Sequence, residues 1–241
     1  MNDRDWVRDL SNYLRQSFVR LCEVLGQPRP IRDLRSNPPL AVEEAKAFLL
    51  GLESSLFHFD ENARVQSESL PYPSKDNPGV ELCQIFALNP PPPRIVRESI
   101  CQLATASALV LERGWLPNQI KMGTIDALDY GVDMIVESVA GELLVCVEIK
   151  RSVHELQKFG GDFQQCCRRG EHAKADCAFQ QNHDMFEFCA RYQPAYLWVV
   201  APGHDVCCKL NYFGGMVEFE ELETLPRRSH VEFGSSSSSP A

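Results

Sequence analysis

The chain has 241 residues, 44% hydrophobic and 24% charged, with a net charge of −9. This is the balance of a globular protein with one large domain, or one domain and a smaller companion. The negative charge excludes a surface coated for nucleic acid or anionic membrane, so any such contact must be local. No apolar run reaches the ~18 residues of a membrane span. The charged start MNDRDWVRDL has no apolar core of a secretory signal. A cytoplasmic protein with no membrane partner is expected.

Residues 1–93 form a first section. DWVRDLSNYLRQSFVRLCEVLG places Trp6, Leu10, Tyr13, Leu14, Val19, Leu21 and Leu25 at three-to-four spacing and stops at Gly26, the pattern of an amphipathic helix. AVEEAKAFLLGLESSLFHF reads as a second helix after the loop QPRPIRDLRSNPP. Residues 61–93 are poor in pattern and end in NPPPPR, a stiff linker that suits neither helix nor central strand. The section suits a helical lid, a dimerisation surface or a partner-recognition module.

The second section, 94–233, is clearer. RIVRESICQLATASALVLERGW predicts a helix and NQIKMGTI a short strand. GVDMIVESVAGELLVCVEIKRS predicts two strands around a turn. SVHELQKFGGDFQQCCRRGEHAKADCAFQQ is mostly helical, with a break expected at Gly160-Gly161. AYLWVVAP is a buried-type strand closed by Pro202-Gly203, and CCKLNYFGGMVEFEEL adds one or two strands. The tail, 234–241, is low in complexity and expected to be disordered. The fold class is α/β (α+β): a mixed central sheet in α-β-β-β-α-β order with flanking helices, plus the N-terminal helical region.

There are ten cysteines. Without a secretory signal they read as reduced thiols, mostly small buried hydrophobes. A zinc site would need a set such as Cys177, His183, Cys189, or His204 with Cys207, but no CxxC pair is present.

The chemistry concentrates at the ends of the two central strands. With Ala140-Gly141 at the centre of an even-numbered hairpin turn, Asp133 falls opposite Glu148, and Lys150 joins the same face by the period of two. Ile149 points the other way with Val147, Val145, Val136 and Met134. Opposed carboxylates repel unless a cation lies between them, and a hard divalent ion such as Mg²⁺ accepts oxygen ligands. The competing reading is a strand-end ion pair of Lys150 with Glu148 or Asp133. Asp126 and Asp129 are alternative first acids. His154 and His172 read as solvated helix residues.

Asp133, the hairpin, and Glu148-Ile149-Lys150 at the end of an apolar strand resemble the PD-(D/E)XK motif of the restriction-endonuclease-like fold, with a phrasing similar to Mrr-type restriction enzymes. The resemblance covers about 94–203. It implies a Mg²⁺-dependent DNA endonuclease in which Mn²⁺ substitutes, of a kind associated with restriction or anti-phage defence. Asp133, Glu148 and the backbone carbonyl of Ile149 would hold the metal, with Glu98 as a further ligand, and Lys150 would position water. Val132 stands where the motif has proline. RecB-like members carry Gln and, four residues on, Tyr in the next helix; here Gln164 and Gln165 are followed by Arg168 and Arg169. Together with Arg151 and Lys174, these four residues are the candidates for touching a DNA backbone. A homodimer or a helicase or ATPase partner is compatible with the N-terminal section. The alternative is a nuclease-fold subunit without catalysis that binds nucleic acid or assembles with such an ATPase.

Overall fold

The computed structural model describes residues 4–26, 34, 36–70, 72–73, 78–79, 81–89, 92–122 and 130–232. The tail at 234–241, Asp126 and Asp129 lie outside the described residues. Two helices open the chain, α1 (Trp6–Val24) and α2 (Val42–Glu53). A small antiparallel sheet of β1 (His58–Phe59), β2 (Arg64–Gln66) and β3 (Glu81–Gln84) follows. Then come α3 (Arg97–Leu111), β4 (Ile120–Lys121), β5 (Met134–Glu137), β6 (Leu143–Ile149), α4 (Val153–Arg168), α5 (Gln180–Tyr192), β7 (Tyr196–Ala201), β8 (His204–Phe213), β9 (Met216–Leu222) and α6 (Arg228–Glu232). No described helix is long and apolar enough to cross a membrane.

The main sheet runs β9-β8-β7-β6-β5-β4, antiparallel throughout except for the parallel pair β6–β7. A parallel neighbour needs a crossover, and here the crossover holds two helices, α4 and α5. The α-β-β-β-α-β order is present with this helix pair in its fifth place. Both faces of the sheet are covered. Val145, Val147 and Ile149 face the core shared with α1, α2 and α3. Cys146, Ile135, Leu197 and Val199 face α4 and α5. Double cover is why LLVCVEI reads as an almost unbroken apolar run.

Asp5 caps α1 by accepting from the Arg8 amide at 3.0 Å. Leu10, Leu14, Phe18 and Cys22, four residues apart, are buried against α2 and beyond. Val19 is half-buried and Leu25 exposed, because the stripe turns toward Phe18 and Cys22. Helix α2 approaches α3 so closely at Gly51 that a Cβ there would lie 2.1 Å from Ser107 Oγ. Helix α4 runs unbroken through Gly160 and Gly161, contrary to expectation. Two glycines lower its intrinsic propensity, but Leu156, Phe159, Phe163 and Cys167 give it an apolar stripe that packing secures.

A buried ion pair fastens the N-terminal section to α3. Arg97 and Glu44 are 3% and 6% exposed, and Arg97 Nη2 meets Glu44 Oε2 at 2.5 Å. Arg97 Nε also donates to the Pro38 carbonyl at 2.9 Å. One core therefore runs from α1 across the proline-rich segment to the sheet. Removing one member of a buried pair strands the other, so Arg97→Leu should destabilise the protein by about 3–5 kcal/mol in urea unfolding, while Arg97→Leu with Glu44→Leu should recover most of that loss. A single variant as stable as wild type would show that the pair does not hold the section in place.

Candidate functional site

The acids meet at the end of the β5–β6 hairpin, where register decides everything. Val145, Cys146 and Val147 stand opposite Val136, Ile135 and Met134. One further step brings Glu148 opposite Asp133, the pairing expected from sequence. The route differs. Ser138 N–H donates to Glu142 O at 2.8 Å and Gly141 N–H to Ser138 O at 3.0 Å. This closes a three-residue loop with Gly141 left-handed at φ +84°. An odd loop alone would throw the acids out of register. The ladder, which begins with Leu143 opposite Glu137, slips at Leu144 before Val145, and this β-bulge absorbs the extra residue. Register is thus fixed by which side chains must be buried, not by the turn.

Around that pairing the geometry is specific. Asp133 Oδ2 accepts the Ile149 amide at 2.7 Å. In an extended strand a residue's amide and carbonyl project to one side, so the Ile149 carbonyl faces the Asp133 side of β6. Gln102 of α3 donates to the Asp133 carbonyl at 2.8 Å. Lys150 Nζ lies 2.5 Å from Glu148 Oε1 and 4.5 Å from the centre of the Phe159 ring. The Lys150 amide continues the parallel ladder to Val200 O at 2.7 Å. Glu148 is 7% exposed, and its Oε2 is buried with no hydrogen-bond partner. An orphaned carboxylate oxygen inside a protein is expensive.

Burial first, and then the Asp133 charge, push Glu148 up to about 8 from its ordinary 4.5. Burial raises Asp133 to about 6 against the lowering effects of the Ile149 amide and Lys150. Glu98, exposed in the first turn of α3, adds to both. The structure therefore brings together Asp133, Glu148, Lys150 and the Ile149 backbone, with Glu98 near enough to act on both acids through its charge. All their donors are hard oxygens apart from the lysine, a set that suits Mg²⁺. The N-termini of α3 and α4 flank the acids and partly offset their charge.

The basic candidates are spread out. Arg151 adjoins the acids, exposed and ion-paired with Glu155. Gln164, Gln165, Arg168 and Arg169 lie at the far end of α4, about 20 Å along the helix, and Arg169 donates to the Asp176 carbonyl. Lys174 is paired with Asp184 at 2.5 Å. His154 is an exposed helix residue as expected, whereas His172 is half-buried off the helix, its ring stacked on Phe186. His204 and Cys207 are three apart on β8 and so face opposite sides of the sheet, and Cys189 is buried in the second core. Gln102 and Phe159 went unread. Gln102 lies four residues after Glu98 on one helix face, a spacing that could have flagged it; nothing in the sequence marked Phe159. A cleft of about 250 Å³ lined by Glu43, Thr105, Arg113, Trp198 and His204 contains none of the acids.

No protein-family model, curated protein or solved structure matches the chain.

The raised carboxylates link stability to pH. Their folded values exceed the unfolded ones, so the folded state holds protons that the unfolded chain releases. Stability present below about 4.5 is lost as pH rises through about 8. Metal-free protein should unfold more readily at pH 8 than at pH 5.5, with a slope approaching 1.4 kcal/mol per pH unit for one proton. Glu148→Gln should flatten this dependence and be the more stable form at pH 8. Parallel wild-type and variant profiles in thermal unfolding would rule the linkage out.

Proposed function

We propose that the chain is a metal-dependent nuclease of the PD-(D/E)XK type, hydrolysing phosphodiester bonds of DNA. The reading rests on one observation above all: Glu148, buried with an unpartnered oxygen and opposite Asp133, is followed two residues on by a lysine on the same face. Asp133, Glu148, the Ile149 carbonyl and Glu98 would hold Mg²⁺ or Mn²⁺. A divalent ion bound there would lower the pKa of a water and screen charge on the phosphate. Lys150, steadied on the Phe159 ring, holds its ammonium where it can hydrogen-bond the attacking water and offset charge on the phosphate oxygens. Asp133 spends one oxygen on the Ile149 amide, which fixes its carboxylate for ligation. DNA as substrate, and a role in restriction or defence, follow from the resemblance of the motif.

A second reading is favoured by the Lys150–Glu148 contact at 2.5 Å, which already satisfies one carboxylate oxygen. In that reading the chain is a nuclease-fold subunit that binds nucleic acid or assembles with an ATPase or helicase and does no chemistry.

Lys150→Ala separates the two. The nuclease reading expects plasmid cleavage with Mg²⁺ or Mn²⁺, none with EDTA, and a loss of about 10²-fold in rate in the variant, the scale of deleting one transition-state donor. Ca²⁺-dependent DNA binding should persist, since one lysine carries a small share of phosphate contacts. Lys150→Arg should not restore the rate, because the guanidinium is larger and planar. Cleavage in EDTA, or wild-type cleavage by Lys150→Ala, would refute the assignment.

A further inference from the structure

We propose that Cys166, His172 and Cys177 form a zinc site, separate from the acids, that fastens the connection between α4 and α5. Cys166 lies in the last turn of α4, His172 follows the turn at Gly170, and Cys177 closes the short helical turn Lys174–Asp176 before α5. One ligand atom from each lies within 4.8 Å of the others. Cys166 Sγ is 3.4 Å from Cys177 Sγ and 3.8 Å from His172 Nε2. A tetrahedral ion with Zn–S near 2.3 Å and Zn–N near 2.0 Å has ligand–ligand edges of about 3.5–3.8 Å. Two of the three edges are thus close to ligand spacing before any ion is placed among them, and the third lies within 4.8 Å.

The surrounding hydrogen bonds prepare them for that role. His172 Nδ1 lies 2.5 Å from the Gly170 carbonyl. A carbonyl only accepts, so Nδ1 carries the proton and Nε2, the nitrogen turned to Cys166, holds the free lone pair. Zinc-bound histidines are oriented in this way by a partner on the other nitrogen. The Phe179 amide donates to Cys177 Sγ at 3.3 Å, a bond that favours thiolate over thiol. His183 Nε2 donates to the His172 carbonyl at 2.8 Å, and Phe186 stacks on the His172 ring; both hold the loop against α5. Both cysteines are buried and His172 is half-buried. Three protein donors leave the fourth position to water, reached from the His172 side. A lone thiol pair at this sulfur separation could instead close a disulfide, but it would need no histidine lone pair turned toward it.

The test begins with zinc-free, fully reduced protein titrated with Co²⁺. The expected result is thiolate-to-cobalt charge-transfer absorption that saturates at one equivalent, is displaced by Zn²⁺, and accompanies a higher melting temperature. Cys83→Ser should titrate like wild type. His172→Gln should weaken binding by about 10-fold or more, and Cys166→Ser with Cys177→Ser should abolish the band. X-ray absorption of zinc-loaded wild type needs no variant and should find two sulfurs around the metal. A folded, reduced wild type without the band, a band that survives in the double variant, or a zinc shell without sulfur would each overturn the proposal.

Discussion

Glu148 is a carboxylate carried into a sheet covered on both faces, and the surrounding structure is organised by the need to tolerate it. An ionised carboxylate taken from water into a protein interior costs several kcal/mol unless it is paired and hydrogen-bonded. Lys150 supplies one charge to one oxygen, at 2.5 Å. Asp133 stands opposite and Glu98 nearby, so three acids face one lysine, with Arg151 turned aside to Glu155. Three carboxylates against one ammonium leave two negative charges, which balance only if two carboxyls keep protons or a divalent cation joins the cluster. The elevation of both Asp133 and Glu148 is the first solution; a divalent ion is the second. On the proposed reading, the cluster would exchange its protons for a metal ion.

Helix α3 ties this cluster to the rest of the protein. Arg97 and Cys101, one turn apart, face α2 and the Glu44 carboxylate. Glu98 and Gln102, likewise one turn apart, face the hairpin, where Gln102 holds the Asp133 carbonyl. The N-terminal section and the acids are therefore positioned by adjacent faces, about 100° apart, of the same two helical turns. A shift of α3 that relaxed the buried Arg97–Glu44 pair would move Glu98 and Gln102 with it, because side chains one turn apart on a helix are rigidly related. The described residues of the first 93 bear on the acid site through this helix even though none of those described joins it.

Most of the architecture was legible because burial writes a period into sequence. The double-covered β6 reads as LLVCVEI, the amphipathic α1 as a three-to-four repeat, and the strand–strand–strand–helix–strand order follows. What failed has local causes. The break expected at Gly160-Gly161 is absent, since backbone propensity yields to the apolar stripe of α4. The acids face each other as expected, yet through an odd loop whose error a bulge at Leu144 cancels. A bulge leaves no mark in composition, so an even-numbered turn and an odd loop with a bulge predict the same pairing. The Cys166–His172–Cys177 grouping was hidden because its members are joined by a turn and a short helix whose path no periodicity encodes. His172 consequently read as a surface residue.

Charge decides how a polyanion would approach such a site. With a net charge of −9, the long-range field repels nucleic acid, and attraction begins only within about a Debye length of the surface, ~10 Å at moderate salt. At that range the groups beside the acids are Arg151, shared with Glu155, and the N-termini of α3 and α4. Arg168 and Arg169 stand at the other end of α4, too far to act on the same phosphate, though a duplex lying along the helix would span both ends. A nuclease built this way would engage its substrate weakly on its own charge, gain most from cations that neutralise the acid cluster, and work best when something else holds the DNA in place.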